Sequence, residues 1–247
     1  MTLLLEGKRA LVTGGTGALG SAIARILARE GATVAFGTTS AGEKADRVAA
    51  AIRKEGRTAL PLAFDVADAA AVQAAVSRCV AELGGLDILV NAAGISQAVP
   101  LALMREDDWD RMLAVNLRGV FLVCRAALRP MVAQRAGVIV NVGSVAGRRM
   151  LDAPVHYAAS KAGVSGFTLA LAREVARYGI RVTCVVPGLL RGGVGNHVPP
   201  ALLELYGRRC VAGRVGEPDE IAEVVAFLAS DRASYVYADD VFVDGGV

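Results

Sequence analysis

Residues 13–20 read TGGTGALG, after the short β-type run Arg9–Thr13 and before a helical pattern over Ser21–Glu30. From Gly15 the stretch has the spacing GxGxxG, and from Thr13 it has the spacing TGxxxAxG. Glycines let a backbone turn tightly and approach a pyrophosphate, while a helix N-terminus supplies unpaired N–H groups and a positive dipole end. The strand–turn–helix context therefore predicts a dinucleotide site. A purely structural turn is the alternative, but it needs fewer glycines.

The rest of the chain repeats this alternation of short apolar runs and longer amphipathic segments. Most runs are apolar throughout, as expected of parallel strands covered on both faces. The pattern predicts an α/β fold: a single Rossmann-type, doubly wound parallel sheet of about seven strands with helices on both faces, in one domain over residues 1–247. The predicted strands are Arg9–Thr13, Thr33–Gly37, Thr58–Phe64, Leu86–Asn91, Gly137–Val142, Arg181–Val186 and Asp240–Val243, and the main helices are Ser21–Glu30, Lys44–Lys54, Ala69–Leu83, Asp107–Gln134, Tyr157–Arg177 and Pro218–Ser230.

One irregular stretch, residues 189–216, is rich in glycine and contains a short helical patch, Ala201–Tyr206. It follows the predicted sixth strand. Ligands of such sheets bind at the carboxyl ends of the strands. We therefore expect this stretch to form a small lid over the substrate.

Composition excludes several classes of function. The net charge is only +3, without blocks of like charge, so we expect no nucleic acid partner. The four cysteines lack CxxC spacing, which indicates reduced thiols and no metal site. Neither a signal peptide nor an apolar run of membrane-spanning length is visible. These features predict a cytoplasmic protein with no membrane partner.

Tyr157 and Lys161 are spaced i, i+4, which places a phenol and an ammonium on one face of a helix. A nearby positive charge stabilises a phenolate and lowers the phenol pKa toward working pH. An exposed helical pair is the ordinary alternative for an isolated YxxxK.

Three further features support the interpretation of Tyr157 and Lys161 as catalytic residues. Ser144 follows a predicted strand just upstream of the Tyr157 helix, where its hydroxyl can bind a substrate oxygen. The small residues of Asn91–Gly94 end the fourth strand, so backbone can lie close to a flat ligand. Asn116 is polar within an apolar helix, and a satisfied helix asparagine is an equally good interpretation.

The end of the second predicted strand bears on cofactor choice. An acidic residue there binds the ribose 2′-hydroxyl of NAD and repels a 2′-phosphate. Residues 37–40 read GTTS, without a carboxylate. NADP(H) is therefore favoured, and NAD(H) is possible because no basic residue lies at this turn.

Together these residues resemble the classical short-chain dehydrogenase/reductase family over nearly the whole chain. Residues 143–147 and 171–174 look most like its 3-oxoacyl-[acyl-carrier-protein] reductase branch. The motifs that carry the resemblance are residues 13–20, Asp65-Val66, Asn91–Gly94, Asn116, Ser144, Tyr157 with Lys161, Pro187-Gly188, and residues 213–218 and 243–246.

The resemblance implies a set of roles. Tyr157 would exchange a proton with the carbonyl oxygen, Ser144 would orient that carbonyl, and Lys161 would bind the nicotinamide ribose. Asn116 would hold a water in a proton relay from Lys161. The implied cofactor-binding residues are Gly14, Gly15, Thr16, Gly17, Leu19, Gly20, Thr38, Thr39, Asp65, Val66, Asn91, Ala92, Ala93, Gly94, Tyr157, Lys161, Pro187, Gly188 and Leu190.

The resemblance also implies partners. Arg129 and Arg173 match positions at which the reductase branch meets an acidic acyl carrier protein, although solvated helix faces would explain them equally well. The two longest predicted helices carry more apolar residues than one sheet contact needs, so we expect a homotetramer, with a dimer next.

The leading hypothesis is an NADP(H)-dependent reduction of a ketone, and the favoured substrate is a 3-oxoacyl thioester. The alternative enzyme is an NAD(H)-dependent alcohol, polyol or steroid dehydrogenase of the same family. A non-catalytic dinucleotide-sensing protein is a third hypothesis, and the complete set of four catalytic residues argues against it.

In chain order, two single residues and one short stretch depart from the family pattern. Ala18 replaces a glycine, which a negative φ would allow. Gly192 replaces a threonine that holds the nicotinamide carboxamide. Residues 237–240 read YADD instead of the usual Thr-Gly turn before the last strand.

Overall fold

A seven-stranded, entirely parallel sheet forms the centre of the protein, in a computed structural model that describes residues 3–150, 152–193, 198 and 200–247. The strand order is β3-β2-β1-β4-β5-β6-β7. This order confirms the predicted fold class. The strands are β1 (Arg9–Thr13), β2 (Thr33–Thr38), β3 (Ala59–Ala63), β4 (Ile88–Asn91), β5 (Gly137–Val142), β6 (Ile180–Pro187) and β7 (Asp240–Val243).

Helices cover both faces of the sheet, as predicted. Among the described residues the α-helices are α1 (Ala18–Arg29), α2 (Glu43–Lys54), α3 (Ala69–Leu83), α4 (Glu106–Leu113), α5 (Gly119–Gln134), α6 (Val155–Val175), α7 (Pro200–Arg209) and α8 (Pro218–Ala229). One core lies under α1, α2 and α8, with Ile23 and Phe36 fully buried, and the other lies under α3, α5 and α6, with Val123 and Val164 fully buried.

The prediction of one continuous helix over Asp107–Gln134 is wrong, because the helix is interrupted. Residues 114–118 form a π-helical segment that separates α4 from α5. Such a segment widens one turn by a residue and often occurs at functional sites. Asn116 lies at its centre.

The order of the strands reverses between β1 and β4, which are neighbours although two strands separate them in sequence. The connections from β1 and β4 therefore leave on opposite sides and open a crevice at their carboxyl ends. Thr13 pairs with Asn91 in this row, and Asn91 pairs with Asn141. These pairings place the predicted motifs at one edge of the sheet.

The predicted lid, residues 189–216, contains Val194–His197 and Pro199, which lie outside the described residues. The two ends of the stretch are joined, because the Arg191 N–H donates to the Gly216 carbonyl and the Gly216 N–H donates to the Leu189 carbonyl. The helical patch predicted at 201–206 belongs to the longer α7. In the part of the chain that the structure describes, no helix combines the length and apolar character needed to cross a bilayer.

Candidate active site

A cleft of about 700 Å³ runs along the carboxyl edge of the sheet, from the glycine-rich turn to α6. It collects most of the residues that the sequence singled out. Those that line it are Gly14, Thr16, Gly17, Leu19, Gly20, Thr38, Thr39, Asp65, Val66, Ala92, Ala93, Gly94, Ser144, Tyr157, Lys161, Pro187, Gly188 and Leu190.

The glycine-rich turn has the geometry of an anion cradle. Gly14 has a φ of 67°, and a side chain there would reach within 2.7 Å of the Ala93 backbone. Gly17 caps α1 and has no side chain to satisfy the first N–H groups of the helix. These N–H groups and the dipole end of α1 meet the cleft, so the residues present fit a dinucleotide diphosphate.

Two predicted cofactor residues, Gly15 and Asn91, are not among the described residues that line the cleft. Gly15 packs on β2: its N–H donates to the Gly37 carbonyl, and a side chain there would come within 2.6 Å of Phe36. The Asn91 amide donates to Asn141 Oδ1 at 2.8 Å, beneath the sheet edge. The structure thus places both in packing roles.

The end of β2 is lined with hydroxyls. Thr38 Oγ1 donates to the Ser40 carbonyl at 2.9 Å and lies 3.3 Å from Thr16 Oγ1. Beside it, Asp65 accepts the Ala67 N–H at 2.8 Å and pairs with Arg111 at 3.2 Å. The Thr38 side chain is therefore positioned by the protein before any ligand contact.

At the other end of the cleft, Tyr157 and Ser144 face one another. The Ser144 hydroxyl accepts the Ala146 N–H at 3.2 Å, which restrains the position of its oxygen. Burial raises the pKa of the Tyr157 phenol above 10, and a hydrogen bond with Ser144 opposes that rise. The pKa was expected to fall because of Lys161. In the protein alone, desolvation dominates, and the phenol is held protonated.

Lys161 lies one turn beyond Tyr157, and its side chain is only 6% exposed. Its Nζ donates to the Val142 carbonyl at 2.8 Å. Burial lowers its pKa to about 8. An ammonium held in this way remains charged at neutral pH, with two donor hydrogens left for a ligand.

Asn116 lies behind the cleft and is fully buried. Its Oδ1 accepts the Ile95 N–H at 2.8 Å, and its Nδ2 donates to the Ile95 carbonyl at 3.0 Å and to Ser160 Oγ at 3.2 Å. A side chain at Gly94 would touch both Asn116 and Lys161, at 3.4 and 3.7 Å. Asn116 therefore joins the loop after β4 to α6, next to Lys161.

Known proteins are similar to this chain over nearly its whole length. A family model described as Enoyl-(Acyl carrier protein) reductase matches residues 15–247. The 3-oxoacyl-[acyl-carrier-protein] reductase of Thermotoga maritima is 40% identical over 243 residues, which are 98% of each chain, and that of Vibrio harveyi is 41% identical over 244 residues, again 98% of each. The chain belongs to the short-chain dehydrogenase/reductase family.

Solved structures of this family include dehydrogenases with other substrates. A gluconate 5-dehydrogenase from Burkholderia cenocepacia, in complex with NADP and tartrate, matches with a TM-score of 0.93 and 37% identity over 99% of this chain and 96% of that chain. The protein is thus a short-chain dehydrogenase/reductase oxidoreductase, and its family binds a nicotinamide dinucleotide, as the sequence predicted.

Two departures from the pattern of the short-chain dehydrogenase/reductase family touch one another. Ala18 begins α1 with a negative φ, so its methyl group is compatible with the turn. Gly192 has a φ of 78°, and a side chain there would come within 3.2 Å of the Ala18 Cβ. A threonine at position 192 would therefore have to adopt a left-handed backbone conformation and push Ala18 back by a few tenths of an ångström.

The third departure, at residues 237–240, contributes one of two ion pairs between the end of the chain and the loop after Ser144. The side chain of Asp240, on β7, is 5% exposed and lies 2.7 Å from Arg148. Arg149 lies 3.4 Å from Asp244 and stacks over Phe242, with its Cζ 4.8 Å from the ring centroid. These contacts join the Ser144 loop to the last strand.

Sequence reasoning expected a short helix in the lid but missed which α7 side chains line the cleft. Tyr206 lines the cleft, and its Oη accepts the Leu189 N–H at 3.1 Å. Leu205 and Arg209 line it as well. Their i, i+4 spacing was a usable signal for one shared helix face, but the position of that face over the cleft depends on tertiary packing.

Proposed function

We propose that the protein reduces a ketone with NADP(H), and that its best substrate is a 3-oxoacyl thioester. The observation that carries the proposal is the convergence of Ser144, Tyr157 and Lys161 at one end of the cleft whose other end is the glycine-rich turn. The relatives named as 3-oxoacyl-[acyl-carrier-protein] reductases support the choice of substrate.

Each residue has one task in this proposal. The bound nicotinamide supplies the hydride. Tyr157 donates the phenol proton to the carbonyl oxygen, and its raised pKa keeps that proton available. Ser144 donates a hydrogen bond that orients the same oxygen. Lys161 holds the ribose hydroxyls and stabilises the resulting phenolate, and Asn116 positions the relay that returns the proton.

The cofactor preference rests on the end of β2. No carboxylate occurs in residues 37–40, so nothing at this turn repels a 2′-phosphate. Thr16, Thr38 and Thr39 line the cleft there and offer hydroxyls instead of cations. We therefore propose that the enzyme prefers NADP(H) and also accepts NAD(H).

The proposed partner is an acyl carrier protein at Arg129 and Arg173. Both side chains are exposed, on α5 and α6 respectively. Leu117, Phe121 and Phe167 line a separate apolar groove across the π-helical segment, α5 and α6, which supports assembly into a homotetramer or a dimer. We place the enzyme in the cytoplasm, and we assign residues 189–216 the role of a substrate lid on the single domain.

A sugar-acid or polyol dehydrogenase is the second candidate. It is favoured by the likeness to the gluconate 5-dehydrogenase. The same catalytic residues would serve it, since the difference lies in the part of the cleft that receives the substrate.

One experiment separates the candidates. Absorbance at 340 nm is followed with NADPH and with NADH against a 3-oxoacyl thioester, simple ketones and keto acids, and in the oxidative direction with gluconate and polyols. The highest kcat/KM is expected with NADPH and the 3-oxoacyl thioester. Cofactor binding without turnover of any compound would instead identify a dinucleotide-sensing protein.

A further inference from the structure

Four cationic side chains line the described part of the cleft, and their partners differ. Arg111 pairs with Asp65 at 3.2 Å, and Arg191 pairs with Glu217 at 2.6 Å. Lys161 is buried against a backbone carbonyl. For Arg209, no carboxylate lies within ion-pair distance anywhere in the described ranges.

Arg209 belongs to the reaction end of the cleft. It shares one face of α7 with Leu205 and Tyr206, which also line the cleft. Tyr206 Oη lies against the end of β6, where it accepts the Leu189 N–H. Residues 152–154, just before Tyr157, line the same cleft. Because Arg209 is exposed, its guanidinium lies at the solvent-facing side of the same cleft that Tyr157 lines.

The neighbouring Arg208 shows what a solvated surface arginine on this helix does. It pairs with Glu204 at 2.6 Å, one turn back, and does not line the described cleft. Arg209 has the opposite arrangement: it lines the cleft, and none of the described residues gives it an acidic partner. A planar guanidinium with free donors is well suited to a carboxylate or phosphate, which it can bind through two parallel hydrogen bonds.

We propose that Arg209 selects ketone substrates that carry an anionic group, a carboxylate or a phosphate ester, at the outer end of the cleft. The proposal rests on the proposed ketone reduction and adds a substrate class to it. A phosphate would come from a phosphopantetheine thioester, whereas a carboxylate would come from a free keto acid.

The test compares Arg209→Ala with the matched control Arg208→Ala on three substrates: a 3-oxoacyl N-acetylcysteamine thioester, which is neutral, the corresponding phosphopantetheine thioester, and a keto acid. For Arg209→Ala we expect kcat/KM to fall about ten- to hundredfold on whichever anionic substrate Arg209 binds. The fall should come from a higher KM, and its size is that expected for the loss of a charged hydrogen bond. The neutral thioester should be unaffected, and Arg208→Ala should match the wild type throughout. The anionic substrate that loses rate identifies the source of the charge.

An equal loss on neutral and anionic substrates, or no loss on either anionic substrate, would overturn the inference. A second readout separates this failure from failure of the proposed function. The keto acid and the thioesters are added to wild type, Arg209→Ala and Arg208→Ala in a thermal-shift assay with oxidised cofactor. If the wild type reduces no ketone, the reductase proposal falls, while stabilisation by an anion that depends on Arg209 would still support the anion site, and stabilisation independent of Arg209 would refute it.

Discussion

Arg148 Nε lies 2.7 Å from Asp240 Oδ2, and this contact bridges the catalytic loop after β5 and the last strand of the sheet. The Asp240 side chain is almost wholly buried, whereas Arg148 is partly exposed. Removing a partner from such a pair leaves a charge without compensation in a poorly hydrated place.

We therefore expect Arg148→Ala to lower the free energy of unfolding by about 1–3 kcal/mol, the usual cost of an unpaired buried polar group. Because the loop carries Ser144, kcat should fall as well. The double variant with Asp240→Asn should recover most of the stability, since no charge is then left unpaired. Urea denaturation of the four proteins measures the coupling, and strictly additive losses would contradict it.

Tyr157→Phe tests the proton donor. Turnover should fall by about 10²–10⁴-fold, the range of general acid catalysis, while cofactor affinity stays near that of the wild type. Steady-state rates and a fluorescence titration with NADPH measure the two quantities. Tyr178→Phe, just beyond α6, is the control. A Tyr157→Phe enzyme with unchanged turnover would remove the phenol from the mechanism.

Lys161 makes stability depend on pH in a defined direction. Its pKa is about 8 in the folded protein and 10.5 ordinarily, so the unfolded chain binds more protons between these values. The free energy of unfolding should therefore rise as pH increases from about 8 to 10.5.

Lys161→Met should abolish that rise and stabilise the cofactor-free protein at pH 7 by up to about 3 kcal/mol, while activity is lost. Denaturation at pH 7 and pH 10 provides the measurement, and Lys44→Met, at an exposed position, is the control. A variant less stable than the wild type at pH 7 would show that the hydrogen bond to Val142 outweighs the cost of burying the charge.

Gly192→Thr should be harmful although it restores the residue usual in the family. The left-handed backbone conformation costs about 1–3 kcal/mol for such a residue, and its side chain would also crowd Ala18. Gly213 has a similar φ of 70° and open space around it, so Gly213→Thr measures the backbone cost alone. An excess loss at position 192 that Ala18→Gly relieves would verify the contact. Equal losses at both positions would argue that it is unimportant.

Thr38→Asp should lower kcat/KM with NADPH by about tenfold or more, because a carboxylate would face the 2′-phosphate at close range. The rate with NADH should be retained. Thr38→Asn is the control, because asparagine has the shape of aspartate without its charge. The measurement is kcat/KM of each variant with NADPH and with NADH. Equal losses with the two cofactors would show that Thr38 does not face the 2′ position.

The alternation of apolar runs was enough to predict all seven strands, because most strands are rich in apolar residues that pack under helices on both faces of the sheet. Local spacing likewise placed Tyr157 and Lys161 together. It could not distinguish Gly14 from Gly15, since adjacent glycines in one motif face opposite ways, one toward the cleft and one toward Phe36.

Features that depend on distant contacts were out of reach. Nothing local in residues 237–240 indicates that Asp240 contacts Arg148, which lies far earlier in the chain. The π-helical segment likewise has no compositional signal, because the residues around Asn116 suit an ordinary helix. The hydrogen bonds between the Asn116 side-chain amide and Ile95 and Ser160 form only once three elements have packed.

The wide turn at residues 114–118 absorbs one extra residue without changing the direction of the side chains after it in α5. If one residue were deleted there, α4 could continue into α5 as an unbroken helix, and each later side chain would keep its direction. If a residue were instead deleted within α5 before Val123, that side chain, now buried against the sheet, would turn away by about 100°. A deletion in the wide turn would therefore be felt mainly by the local hydrogen bonds of Asn116.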